Sequence, residues 1–206
     1  MKKTLVKRWL KAGLITDQAL LKAFEKVQRE DFMLPEYMES AYMDTALPIL
    51  ANQTISQPTT VMIMIQALEL KETEKVLEIG SGSGYNAALM AEMVKKGRIY
   101  TLEIISELAD FAKKNLQPYG NVEVILSDGS IGLKEKAPFD KIIITAASPR
   151  IPDTLLKQLK IDGIMVVPVG SQFHQEMLVI RKRKEKLDIK NLGSFMFVPM
   201  KGKEGY

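Results

Sequence analysis

Lys75-Val76-Leu77-Glu78-Ile79-Gly80-Ser81-Gly82-Ser83-Gly84-Tyr85-Asn86-Ala87-Ala88 decides how this chain folds. A short β-rich run, 76–79, meets three glycines at alternate positions, and an alanine-rich stretch follows at once. The predicted order is strand, tight turn, helix. Glycine permits positive φ and lets a ligand lie against bare backbone, while the helix N-terminus offers it unpaired N–H groups. The loop therefore has the character of a cofactor cradle.

The spacing narrows the cofactor. A dinucleotide fingerprint, Gly-x-Gly-x-x-Gly, would need glycine at position 85, where Tyr85 stands; here the third glycine is Gly84. Glu78, two residues before Gly80, is a poor neighbour for a pyrophosphate and a good one for a cationic amino group and sulfonium. S-adenosylmethionine is favoured over NAD.

Downstream, further strands are predicted at 98–103, 122–126, 141–145 and 164–169. Helical segments lie between them: 86–96 stopped by Gly97, 106–116 capped by Ser106, and a segment with Pro152 in its first turn that runs through 159. This alternation predicts a mostly parallel sheet with helices on both faces. After Gly170 it stops, and 177–180 and 195–198 flank Arg181-Lys182-Arg183-Lys184-Glu185-Lys186 as an antiparallel edge hairpin with a solvated basic turn. Upstream, Leu20, Phe24 and Val27 share a helical face behind Thr16 as N-cap, with Ile15 and Leu20 as staple partners. Trp9 and Leu5 pack as part of this helical layer.

The predicted fold is α/β and Rossmann-like, with an antiparallel edge hairpin and an N-terminal helical layer. No linker-like stretch divides the chain, so residues 1–206 are expected to form a single domain. Within it, 1–70 form the helical layer and substrate-pocket segment, 71–170 the cofactor-binding core and 171–206 the C-terminal edge strands. The strand ends carry the candidate cofactor residues. Gly80, Ser81, Gly82 and Gly84 form the cradle, and Glu103 is placed to accept both hydroxyls of a ribose. Asp128 and Gly129 are placed at an adenine edge, and Thr145 closes the fourth strand.

Composition excludes several functions. With 46% apolar and 26% charged residues the chain is an ordinary globular protein. No apolar run reaches the roughly 18 residues of a membrane span, and the N-terminus lacks an unbroken apolar signal core, so the cytoplasm is the expected address. Zero cysteines exclude disulfides and thiolate chemistry, and the only histidine, His174, leaves too few ligands for an ordinary metal site. His174 is taken as a surface or packing residue. A net charge of +4 is too modest for a dedicated nucleic-acid binder. Neither nucleic acid nor membrane is an expected partner, and a monomer is the default state.

The acceptor is narrowed by elimination. The loop Thr145-Ala146-Ala147-Ser148-Pro149 lacks the Asn/Asp-Pro-Pro-aromatic motif that holds an amine, and pyrimidine C5 methylation needs a cysteine. An oxygen acceptor remains.

Asn52-Gln53-Thr54-Ile55-Ser56-Gln57-Pro58, the segment 77–85, Ser127-Asp128-Gly129-Ser130, Ala137-Pro138-Phe139-Asp140 and Thr145-Ala146-Ala147 are similar, in order and spacing, to the protein-L-isoaspartate O-methyltransferase family of class I methyltransferases. The resemblance runs from about residue 14 to Glu204-Gly205-Tyr206. It implies methyl transfer from S-adenosylmethionine to the free α-carboxyl of L-isoaspartyl residues in damaged proteins and peptides. The ester then closes to a succinimide, and hydrolysis returns part of the damage to aspartate. It also implies Ser56 as the active-site serine, with Gln53, Thr54 and Ile55 forming the pocket against the cofactor.

A carboxylate with a pKa of about 3 to 4 is already ionised and needs no general base. The Ser56 hydroxyl is therefore expected to orient the acceptor oxygen, with rate gained from positioning and exclusion of water. It could also cap the helix that Pro58 starts. Thr59 stands where many family members carry His or Tyr, so contacts near the substrate pocket are expected to differ. Two alternatives stay open: methylation of another carboxylate, and a non-catalytic module that uses its basic hairpin on nucleic acid.

Overall fold

The computed structural model describes residues 1–206. The N-terminal layer contains α1 (Lys2–Lys11), α2 (Gln18–Lys26), a two-strand ribbon of β1 (Leu47–Pro48) and β2 (Thr54–Ile55), and α3 (Pro58–Ala67). Asp17, not Thr16, caps α2: its carboxylate accepts from Ala19 N at 2.8 Å and Leu20 N at 3.1 Å. A carboxylate at a helix N-terminus also gains from the helix dipole, which a hydroxyl does not. Thr16 instead donates its N–H to Gln66 Oε1 at 2.7 Å.

The α/β part runs β3 (Lys75–Ile79), α4 (Tyr85–Met93), β4 (Arg98–Glu103), α5 (Ser106–Asn115), β5 (Val122–Leu126), β6 (Phe139–Ile144), α6 (Asp153–Gln158), β7 (Leu159–Gly170), β8 (Gln175–Lys182) and β9 (Leu187–Phe195). The seven-stranded sheet has the order β5-β4-β3-β6-β7-β8-β9, parallel through β7 and antiparallel from there on. Chain order reverses between β3 and β6, and the crevice beyond the carboxyl ends of strands at such a switch point is where open α/β sheets bind ligands.

Side chains alternate across the sheet. Val76, Ile99, Ile143 and Val166 pack on one face with Trp9, Phe24, Met62 and Leu89, so the N-terminal helices share a core with the central strands. Leu77, Ile79, Ile142 and Met165 pack on the other with Leu155 of α6. No helix is long and apolar enough to cross a membrane.

Several boundaries differ from expectation. Helix α4 ends at Met93 rather than 96, because Lys96 N donates to Glu72 O at 2.8 Å and Arg98 N to Glu74 O at 3.1 Å. Gly97 lies so close to the Glu74 carbonyl that a Cβ would overlap it. Ser106 begins α5 without capping it, and Glu103 Oε1 accepts from Ile104 N and Ile105 N at 2.9 and 3.1 Å instead. Pro152 is the N-cap residue of α6, and β7 begins at Leu159, five residues early.

Of the basic run only 183–186 form the solvated turn, since Arg181 and Lys182 end β8; Arg183 pairs with Asp162 at 2.5 Å and Asp188 at 2.8 Å. Its second strand, however, is β9, Leu187–Phe195, rather than 195–198. Charged and polar residues such as Asp188, Lys190 and Asn191 suit an exposed edge strand and hide its apolar pattern. Beyond Phe195 the chain leaves the sheet and straps across the strand ends. Ala147 N donates to Val198 O and Met200 N to Ala147 O, both at 2.8 Å.

Candidate active site

Gly80, Gly82 and Gly84 all have positive φ, at 92°, 53° and 89°. Gly80 is the position with least choice. A Cβ there would lie 2.5 Å from Thr145 Oγ1, and that hydroxyl is itself held by the Gly80 carbonyl at 2.7 Å and the Ile79 carbonyl at 3.0 Å. Glu103 completes the cradle. Its Oε2 accepts from Gly82 N at 3.0 Å while Oε1 takes the N–H groups of Ile104 and Ile105 just before α5, so one carboxylate shapes the loop and still faces the cleft.

Gln53, Thr54, Gly80, Gly82, Glu103, Gly129 and Thr145 line one cleft together with Val198, Pro199 and Met200 of the strap. Ser56 lines a second, wider cleft with Thr54, Thr145, Phe173, His174 and Met196. A narrow recess bounded by Ile55, Ser56, Ser81 and Tyr85 shares Gly80 and Gly82 with the first cleft and Ser56 with the second. Thr54 and Thr145 line all three, so the first, the candidate cofactor cleft, and the second, the candidate acceptor cleft, adjoin at this pair, beside Ser56.

The segment carrying Ser56 is fixed by the β1–β2 ribbon, with Leu47 opposite Ile55 and Pro48 opposite Thr54. Ala51 and Asn52 turn that ribbon with positive φ of 55° and 56°. The Ser56 carbonyl accepts from Arg29 Nη2 at 2.8 Å. Ser56 does not cap α3: Gln57 holds the N-cap position, and no side chain bonds there.

Not every expected residue reaches a cleft. Glu78 is completely buried beneath the loop, where its Oε2 accepts from Thr101 Oγ1 at 2.6 Å, and Thr101 in turn meets Ser81 Oγ at 2.7 Å. Charge logic placed Glu78 against the cofactor's cation. Strand alternation turns it instead into the core, and burial pushes its carboxyl up to about 8. Asp128 is also redirected: it accepts from Ser130 N at 2.9 Å, Ser130 Oγ at 2.7 Å and Lys203 N at 2.8 Å, tying down the strap while Gly129 alone faces the cleft. Gly84 turns the chain into α4 against Leu116 rather than lining the cofactor cleft.

Thr59 stands behind the acceptor wall. It accepts from Trp9 Nε1 at 2.8 Å and donates to Asp44 Oδ2 at 2.7 Å, while Asp44, which also pairs with Arg8, and Thr60 face the cleft. Trp9 thus holds the wall as well as packing in the core. The residues that sequence reasoning missed are His174, Phe173 and the strap. Phe173 and Met196 are 87% and 80% exposed, an unusual exposure for large apolar side chains. Residues 195–198 read as an edge strand in the sequence, and only the structure carries Phe197-Val198-Pro199-Met200 over the clefts.

A Gly-x-Gly-x-Gly turn at the switch point and an acidic residue at the end of the next strand, both lining one cleft, are the features of a class I S-adenosylmethionine-dependent methyltransferase. The residues present fit that cofactor: bare backbone at Gly80, which no Cβ could replace, and the Glu103 carboxylate inside the cleft. The model of the protein-L-isoaspartate(D-aspartate) O-methyltransferase family, PCMT, matches residues 1–205, and the chain belongs to that family.

The protein-L-isoaspartate O-methyltransferase of Methanosarcina mazei is 50% identical over 199 residues, which cover 94% of this chain and 81% of that one. Its counterpart from Pyrococcus horikoshii is 46% identical over 216 residues, covering 99% and 97%. A solved protein-L-isoaspartate O-methyltransferase superposes with a TM-score of 0.89 at 29% identity, over all of this chain and 67% of its own. A Plasmodium falciparum structure in complex with S-adenosyl-L-homocysteine shares the fold, with a TM-score of 0.85 at 24% identity and 97% of each chain covered.

Proposed function

We propose that this chain methylates the free α-carboxyl of L-isoaspartyl residues in damaged proteins and peptides, with Ser56 as the residue that orients the acceptor. The observation that carries the assignment is the place of Ser56, on the acceptor cleft beside the two threonines where that cleft meets the cofactor cleft. When bound, S-adenosylmethionine supplies a methyl group on a positively charged sulfur.

Glu103 would hold the ribose hydroxyls, and the backbone at Gly80, Gly82 and Gly129 would receive the rest of the cofactor. Gln53, Thr54, Ile55 and Thr145 form the partition between the clefts. Ser81 and Glu78 brace the loop from beneath, Gly84 turns it into α4, and Asp128 anchors the strap. The Ser56 hydroxyl donates to one acceptor oxygen and leaves the other free to approach the methyl. The acceptor is ionised at neutral pH, so no side chain has to remove a proton. Rate comes from alignment and from the water excluded by the strap and the β1–β2 ribbon. Once released, the methyl ester is attacked by the neighbouring backbone nitrogen. Loss of methanol closes the succinimide, and hydrolysis returns part of it to aspartate.

The core shared by Trp9, Phe24, Val76 and Val166 supports one domain over 1–206. We assign a monomer acting in the cytoplasm on isoaspartyl proteins and peptides rather than nucleic acid. The test is a panel of isoaspartyl, aspartyl and unrelated carboxyl peptides with methyl-labelled cofactor. Label is expected only in the isoaspartyl peptide, and its absence there would refute the assignment.

A further inference from the structure

Arg29 lies on the single 3₁₀ turn Arg29–Phe32 after α2 and is completely buried. Its Nη2 donates to the Ser56 carbonyl at 2.8 Å, and its guanidinium stands 5.1 Å from the centroid of the Tyr85 ring. Nε and Nη1 have no partner, nor has the buried Tyr85 hydroxyl. Its backbone is held as well: Arg29 N donates to Tyr42 Oη at 3.2 Å, and Tyr42 Oη donates to Glu30 Oε2 at 2.7 Å.

A buried cation without an ion pair costs several kcal/mol, and two unpaired N–H groups add to that. Burial lowers the Arg29 pKa to about 10, which still leaves the group charged at neutral pH. The cost is concentrated where two functional segments meet. Ser56 belongs to the acceptor segment, and Tyr85 is the first residue of α4, directly after Gly84 of the cofactor loop. A planar guanidinium can bond a carbonyl in its plane and stack on a ring with its face, which an ammonium cannot do.

We propose that Arg29 is a positioning residue for methyl transfer, which sets Ser56 against the cofactor loop and thereby fixes the approach of the acceptor carboxylate. The inference rests on the role given to Ser56. Arg29→Met keeps comparable length without charge or donor, and replacing a buried charge by an apolar side chain is often neutral or stabilising.

The full chain and its Arg29→Met and Arg29→Lys variants are compared for Tm, S-adenosylmethionine Kd by calorimetry, and kcat and KM on an isoaspartyl peptide. Wild-type turnover is measured first, so that failure of the functional assignment is seen separately. In Arg29→Met, kcat is expected to fall about tenfold or more, with Kd within about threefold and no drop in Tm. An unchanged kcat, or losses of Tm and cofactor affinity in step with kcat, would overturn the proposal. Should Arg29→Met not fold, Arg29→Lys decides. A kcat about threefold lower with cofactor affinity kept supports positioning, and wild-type kcat refutes it.

Discussion

The Thr145 hydroxyl shares its proton between the Gly80 carbonyl at 2.7 Å and the Ile79 carbonyl at 3.0 Å, tying the end of β6 to the first residue of the glycine loop. Gly80→Ala would set a Cβ 2.5 Å from that hydroxyl, at a φ of 92° that side chains rarely adopt. Strain of about 1 to 3 kcal/mol is expected, released by displacing the loop. Calorimetry should show S-adenosylmethionine binding weakened by at least about tenfold; unchanged affinity would mean that the loop backbone does not hold the cofactor.

Ser56→Ala removes one hydroxyl from a wall of the acceptor cleft and leaves the Arg29 bond to its carbonyl intact. Turnover of an isoaspartyl peptide is expected to fall about 100-fold, with cofactor Kd within about threefold, because the lost group aligns the acceptor only. Equal loss of both would assign Ser56 to the cofactor pocket or to the fold.

Glu103→Ala deletes a cleft-facing carboxylate that also holds three backbone N–H groups. Cofactor affinity is expected to drop about 100-fold or more, since charge-assisted bonds of about 1.5 to 3 kcal/mol each are lost on both sides of the loop. Titration of the purified variant reads this directly, and wild-type affinity would remove Glu103 from the site.

Glu78 makes stability depend on pH. Its carboxyl rises from an ordinary 4.5 to about 8, first through burial, with Thr101 opposing and Glu103 adding. The native state therefore keeps a proton that the unfolded chain releases. Its stabilising contribution is complete below about pH 4.5 and is lost as pH climbs through about 8. In Glu78→Gln the decline in Tm between pH 5 and 8 should flatten; parallel curves for the two proteins would show that Glu78 does not titrate there.

Most of the architecture was legible because it is periodic. The parallel strands β4 and β5 appear at their predicted limits, since each is a short run rich in β-branched and apolar residues bounded by turn signals. β9 was missed because an exposed edge carries charge, and α4 was overextended because distant carbonyls, Glu72 O and Glu74 O, draw Lys96 and Arg98 out of the helical path. Within the site, Gly80, Gly82, Glu103 and Thr145 lie where chain order placed them, at strand ends around the switch point. Glu78 and Asp128 occupied the expected strand ends but turned away, and Arg29 carried no signal at all.

Chain order alone determined the strand–loop–helix cradle, the cofactor class and the family, because these rest on glycine spacing and on motifs contiguous in sequence. Only the tertiary structure decided which atoms face the clefts. One step along a strand or turn separates a cleft-lining residue from one that turns away, as with Ile79 and Glu78 or Gly129 and Asp128. The contacts that hold Ser56 and close the cleft join residues far apart in the chain, Arg29 from the helical layer and Val198 to Met200 from the strap.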